Sequence, residues 1–168
     1  FSGASVNSIV SKLVRDVHED RPDLTIALQG SQLSQPGLER LKSGALDAVV
    51  GRWDVLPPEI DSCVVAREQL LLALPKHHRL TSQKSIAAMD VAQEPWIVLP
   101  GGSGATLSSR LHEFAQRGQF VPRIVETAAD SATQLLMVDA GIGIALIFSG
   151  VKENVPVHAV AFRPPSPS

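Results

Sequence analysis

The chain has 168 residues, of which 44% are hydrophobic and 19% charged, and its net charge is −2. That length buries a real core, as one compact unit or as two small lobes sharing a cleft, and the balance of apolar to charged residues is that of a soluble α/β protein, which excludes general disorder. Lys and Arg are scattered singly and are outnumbered by Asp and Glu, 15 to 17, so no basic stripe is available to grip phosphate and this piece is not expected to hold DNA by itself.

Ser5 or Asn7 can cap a helix that runs to about Glu19, with Ile9, Leu13, Val14 and Val17 as its apolar face. Arg21, Pro22 and Asp23 end it. Residues 24–28 read as a strand, 38–42 as a short helix stopped at Gly44, and 46–51 as an apolar strand whose continuous burial suggests a parallel sheet. After the turn-rich stretch from Trp53 to Pro58, residues 60–66 and 69–74 read as two more extended runs, the second closed by Pro75. A short helix is expected over 85–89, a strand over 96–99, a helix over 106–117 ending at Gly118, and a strand over 123–126. Residues 131–140 read as a helix with Leu135, Leu136 and Val138 inward; Gly141 stops it and Gly143 opens a strand over 144–148. A final strand is expected over 157–162, before a Pro-Ser tail. The economical arrangement is two α/β lobes with the chain end returning to the first.

Cys63 is the only cysteine, so neither an intrachain disulfide nor a thiolate metal cluster can form, and a reducing, cytoplasmic compartment fits best. No apolar stretch approaches the roughly 20 residues needed to span a bilayer, and no secretory signal is present. The chain opens at Phe1 without an initiator Met, which leaves room for an upstream segment.

Six phrases in this order are similar to the effector-binding domain of LysR-type regulators: the helix opening at Phe1 to Ser5, Arg21-Pro22-Asp23 before a strand, LKSGALDAV (41–49), LALPKHHRL (72–80), EPWIVLP (94–100) and VDAGIGIAL (138–146). The match spans nearly the whole chain. It implies an α/β fold of two Rossmann-like lobes with a ligand cleft between them, of the periplasmic binding protein type II kind. The implied first lobe is 1–73 plus about 150–168 and the second 74–149, with crossings near Ala73 to Pro75 and Leu146 to Phe148. The resemblance also implies an upstream winged helix-turn-helix, absent here. Three departures stand out: the strand that normally precedes the opening loop is missing, the stretch from Gly30 to Gly44 is longer than usual, and Phe148 stands where a proline is common.

The same resemblance directs attention to the cleft. Gly3, Ala4 and Ser5, just ahead of the first helix, offer free amides and a hydroxyl to an anion, although an ordinary N-cap would look the same. Ser34, with Ser31 as its alternate, lies at the expected carboxyl end of a strand, where open α/β sheets bind ligands; a simple turn and cap is the equal alternative. Gly101, Gly102 and Ser103 form a strand-to-helix turn that can aim amides into the cleft, but the lysine of a nucleotide-binding loop is missing. Trp53 and Phe148 are candidate apolar walls, while Trp96 is expected to pack.

His77 and His78 are adjacent, so they do not converge on a metal and are expected to be solvated; Cys63 is expected to be a buried small hydrophobe. No metal or cofactor is predicted. The chain carries neither G-x-S-x-G nor H-E-x-x-H, so an enzyme is not expected. Two functions remain. One is a regulator domain that senses a small organic acid or amino-acid-like effector, pairs as a homodimer or tetramer, touches DNA only through the missing domain and has no membrane contact. The other is a solute-binding protein of a transport system.

Overall fold

The computed structural model describes Phe1 and residues 6–30, 34–101 and 105–167. Helix α1 spans Asn7–Asp20. Val6 occupies its cap position without a side-chain cap bond, so Asn7 is the first helical residue and not the cap; the backbone N–H of Ser8 instead donates to Asn154 Oδ1 at 3.1 Å. The buried face is Val6 and Val10, with Val14 and Val17 half-covered, whereas Leu13 is exposed. The 4-, 4- and 3-residue spacing of these valines is a truer helical stripe than the one expected through Leu13. Helix α2 covers Ser34–Lys42 and ends ahead of Gly44, whose φ of +75° only glycine adopts freely.

The strands expected over 24–28, 46–51 and 60–66 are not formed. Among the described residues these stretches make no ladder hydrogen bonds, and Leu24, Ile26, Leu28, Val64 and Val65 are exposed. Alternating apolar residues supply a face to bury, but a strand exists only when another backbone lies about 4.8 Å away to pair with it. Cys63 belongs to one of these stretches and is therefore exposed, contrary to expectation.

From residue 70 onward the chain builds sheets. Strand β1 (Leu70–Pro75) pairs antiparallel with β4 (Ala145–Phe148) on one side and with β5 (Val160–Arg163) on the other. Strands β2 (Pro95–Val98) and β3 (Arg123–Thr127) pair in parallel. A bridge between Trp96 and Ile144 ties the second pair to the entrance of β4. The two stretches expected to cross between lobes are thus direct neighbours, Leu72 opposite Leu146 and Ala73 opposite Ala145. The chain end lies against β1, and Ile86 pairs with Pro165 beyond it.

Period-2 alternation divides the core into two layers. Leu72, Leu74, Trp96 and Leu146 point to one side, where helix α3 (Thr106–Arg117) supplies Leu111 and Phe114; Trp96 meets Phe114 edge-on with ring centres 6.4 Å apart. Ala73, Ile97, Ala145 and Ile147 point to the other, where helix α4 (Ser131–Asp139) supplies Leu135 and Val138. Leu136 faces outward and is 61% exposed, because it lies a helical step away from that inward pair. Trp96 packs fully inside, as its place in a strand suggested.

Three local readings change. Helix α5 (Ser149–Asn154), a single turn and a half opening with Ser149 and Gly150, follows β4 where no helix was expected. Short 3₁₀ turns at Arg79–Ser82 and Ala88–Val91 replace the helix expected over 85–89. His78 is not solvated: its side chain is 14% exposed, its Nδ1 accepts from the Leu80 N–H at 3.3 Å, and its Nε2 lies 3.3 Å from Glu94. The Nε2–H tautomer satisfies both contacts. That pairing holds the 3₁₀ turn onto the segment before β2.

Candidate functional site: a cleft walled by aromatic rings

A cleft of about 900 Å³ opens between the segment around Ser34 to Val55 and the ends of β2, β4 and α4. That volume suits a ligand of small-molecule size. Ser34, Trp53, Gly101 and Phe148 all line it. Gly3, Ala4, Ser5, Ser31, Gly102 and Ser103, the other residues singled out from the sequence, lie outside the described residues.

Local chemistry explains how the aromatic walls are held. The Trp53 indole N–H donates to the carbonyl of Ser34 at 3.1 Å, and the Ser34 hydroxyl accepts from the Arg52 N–H, also at 3.1 Å. Ser34 therefore anchors the 52–53 turn by both its backbone and its side chain. Gly51 leaves room for the ring, since a Cβ there would lie 2.6 Å from the nearest indole carbon. On the facing wall the Arg52 guanidinium sits 4.3 Å from the centre of the Phe148 ring, a cation–π contact that fixes the ring's angle.

Arg52 is in turn held by Glu68. Its Nε donates to Glu68 Oε2 at 2.7 Å, with a second contact from Nη2 to the same oxygen, and the two side chains are only 18% and 16% exposed. The other carboxylate oxygen accepts the Gly150 N–H at 3.2 Å, in the first turn of α5. One half-buried carboxylate thus joins the Trp53 turn to the chain just beyond Phe148. Across the cleft mouth, Thr106 at the start of α3 donates from its hydroxyl to the Arg52 carbonyl at 3.3 Å, and Arg110 of the same helix pairs with Asp54. Both contacts span the two walls.

Reading the residues singly did not find Arg52, Glu68, Thr106 or Arg110. Arg52 was the most accessible of them, as the neighbour of Trp53 at the end of an apolar run. Glu68 is 16 residues away in a stretch without regular structure, and no periodicity links the two.

Asp130 lies on the cleft wall as the N-cap of α4, its carboxylate accepting the Thr133 N–H at 2.8 Å. That backbone hydrogen bond holds its pKa below the ordinary Asp value of 3.8. A depressed folded-state pKa contributes stability above the ordinary value and loses it as the pH falls through the folded one. Asp130→Ala is expected to cost about 1 kcal/mol at pH 7. In urea unfolding the gap to the parent protein should stay constant down to the ordinary carboxylate range and close below it; a gap unchanged at pH 3 would contradict this role.

Among the described residues no cluster of three or more His, Cys, Asp or Glu side chains could hold a metal ion, and no helix is long and apolar enough to cross a membrane.

The family model described as LysR substrate binding domain matches residues 1–167. The chain is 29% identical over 160 residues to the HTH-type transcriptional regulator ShiR of Corynebacterium glutamicum, covering 95% of this chain and 54% of that protein. It is 30% identical over 153 residues to the regulator AlsR of Bacillus subtilis, covering 91% and 50%. It therefore spans about half the length of the curated relatives it matches. Among solved structures, the effector-binding domain of BenM with its effector benzoate superposes with a TM-score of 0.80 at 23% identity, over 98% of this chain and 74% of that one. The effector-binding domain of QuiR in complex with shikimate gives 0.79 at 15% identity, over 98% and 78%. At such identities the likeness establishes a shared fold, the two-lobed α/β fold of effector-binding domains. With a family match that runs from its first residue almost to its last, the chain belongs to the LysR substrate binding domain family.

Proposed function

We propose that this chain is the effector-sensing part of a LysR-type transcription regulator, that it binds a small organic acid in the cleft, and that it performs no chemistry on it. The supporting observation is the construction of the cleft. Two aromatic side chains, Trp53 and Phe148, are oriented by hydrogen bonds and a cation–π contact, while polar contacts from Thr106 and Arg110 tie one wall to the other. Flat apolar walls favour a ring-bearing acid, the class to which the benzoate of BenM and the shikimate of QuiR belong.

A ligand that touches both walls favours the closed form by its differential affinity for it. In a homodimer or tetramer, closure would change how subunits pack and so the spacing of DNA-reading heads carried by an upstream winged helix-turn-helix. Such a protein would work in the cytoplasm. The ladder between β1 and β4 supports two lobes that meet there, with 1–73 on one side and 74–149 on the other; β5, which pairs with β1, ties the segment from 150 to that junction. The relatives reported above are named as transcription regulators, which supports this reading over a transport function.

The test is thermal denaturation of the purified protein against benzoate, shikimate, other ring acids and amino acids. A ligand at about 100 times its Kd adds about 2.7 kcal/mol, which corresponds to a rise in Tm of roughly 5–10 °C for a protein of this size. Trp53→Ala should weaken a binding acid at least tenfold without changing the far-UV spectrum. If no acid shifts the midpoint, or if a hit ignores the substitution, the cleft is not the effector site.

A further inference from the structure

Asp130 stands on the cleft wall in the turn that leads into α4, with Ala129, Ser131 and Ala132 beside it. It is exposed, not sealed inside the protein. Its Oδ1 accepts the Thr133 N–H at 2.8 Å, which pins the carboxylate over the first turn of α4 and keeps it ionised at neutral pH. A carboxylate offers about four lone-pair positions, so capping the helix leaves acceptors open.

The other charged side chains that line the cleft, Arg52 and Asp54, are both matched: Arg52 is bound to Glu68, and Asp54 shares Arg110 with Glu113. Asp130 has no basic side chain within ion-pair distance among the described residues, and residues 2–5, 31–33, 102–104 and 168 contain no Lys, Arg or His. One uncompensated negative charge therefore stands on the wall at α4. The opposite polarity enters elsewhere. Gln35 in the first turn of α2 and Thr106 and Ser108 in that of α3 line the same cleft, and neither turn holds an acidic residue. Helix N-termini favour an anion, whereas a fixed carboxylate repels one and attracts a hydrogen-bond donor or a cation.

Resting on the reading of the cleft as an effector site, we propose that Asp130 selects the second polar group of the effector. The ligand is a monoanion, an amino acid or hydroxy acid, that turns its ammonium or hydroxyl toward α4. An acid with a second carboxylate at that end is rejected.

Isothermal titration of the full chain with two matched pairs of ring acids tests this. Isophthalate and 3-nitrobenzoate have the same shape and differ by one negative charge; 3-(aminomethyl)benzoate and 3-(hydroxymethyl)benzoate differ by one positive charge. In the parent protein isophthalate should bind roughly tenfold more weakly than 3-nitrobenzoate, and the aminomethyl acid roughly tenfold more tightly than the hydroxymethyl one, the scale of one charge contact near a protein surface. Asp130→Asn keeps a good capping residue and removes the charge, so both gaps should narrow severalfold. Both should also narrow in the parent protein when ionic strength rises from about 0.01 M to about 1 M, which a purely structural cap would not cause. Isophthalate and 3-nitrobenzoate that bind the parent protein alike would overturn the proposal, and so would gaps unchanged in Asp130→Asn. Should that variant not fold, the salt series decides alone, and gaps that ignore salt overturn it. Binding of none of the four acids would overturn the cleft reading itself, a distinct result from binding without charge discrimination.

Discussion

Gly143→Val is expected to destabilise the protein by more than about 3 kcal/mol, enough to lower Tm by roughly 10 °C. Gly143 is buried, and a Cβ on it would stand 2.7 Å from the backbone oxygen of Pro95 and 3.3 Å from the Ile97 side chain. The oxygen cannot rotate aside, because it accepts the Ile144 N–H at 2.8 Å, and the Ile97 N–H in turn donates to the Ile144 carbonyl at 2.9 Å. A larger residue therefore must separate β2 from the entrance of β4 and break both bonds in a buried place. The damage should reach the cleft as well, since Ile97, Leu146 and Phe148 all line it. Urea unfolding is the direct measurement: the midpoint should drop with the slope unchanged. Gly143→Ala should show a smaller version of the same effect. A valine variant of parental stability would mean that the two strands do not approach as described.

The second large effect is expected at Arg52. Arg52→Ala leaves the Glu68 carboxylate half-buried and stripped of its countercharge, and breaking a fully buried pair in this way costs about 3–5 kcal/mol. With the two side chains 18% and 16% exposed, solvent screening reduces this to about 2–3 kcal/mol. The loss also removes the cation beneath Phe148, so ring-acid binding should weaken with stability. Replacing both partners, as Arg52→Met with Glu68→Met, removes the stranded charge and should recover most of the stability. It should fall about 1 kcal/mol short, because Glu68 also caps the Gly150 N–H in α5. A double-mutant cycle read by urea unfolding checks this. Additive single effects would show that the pair is not coupled and that the two walls are held by other means.

Much of the second half of the chain was legible. Helix 106–117 falls where the spacing of its apolar residues put it, and Gly141, with a φ of +76°, ends α4 as expected. Both features depend on neighbours three or four positions away, which a sequence displays directly. The candidate cleft was legible only in part. Trp53 and Phe148 could be singled out by size and by position at strand ends, but their orientation depends on Ser34, 19 residues before Trp53, and on Arg52 and Glu68, 96 and 80 residues before Phe148.

What the order of residues determined by itself is helices α1, α3 and α4, the glycine stops after α2, α3 and α4, and the apolar runs of β1, β2 and β4, because those follow from backbone geometry and short-range periodicity. Only the tertiary structure decided which extended segments became strands. Residues 24–28 and 60–66 alternate or cluster apolar residues, as strands do, yet without a backbone to pair with they remain exposed, whereas 70–75 is buried between β4 and β5. The cleft was decided at the same level, because a hydrogen bond or an ion pair between distant residues is set by where folding places two side chains, and no pattern within either segment records it.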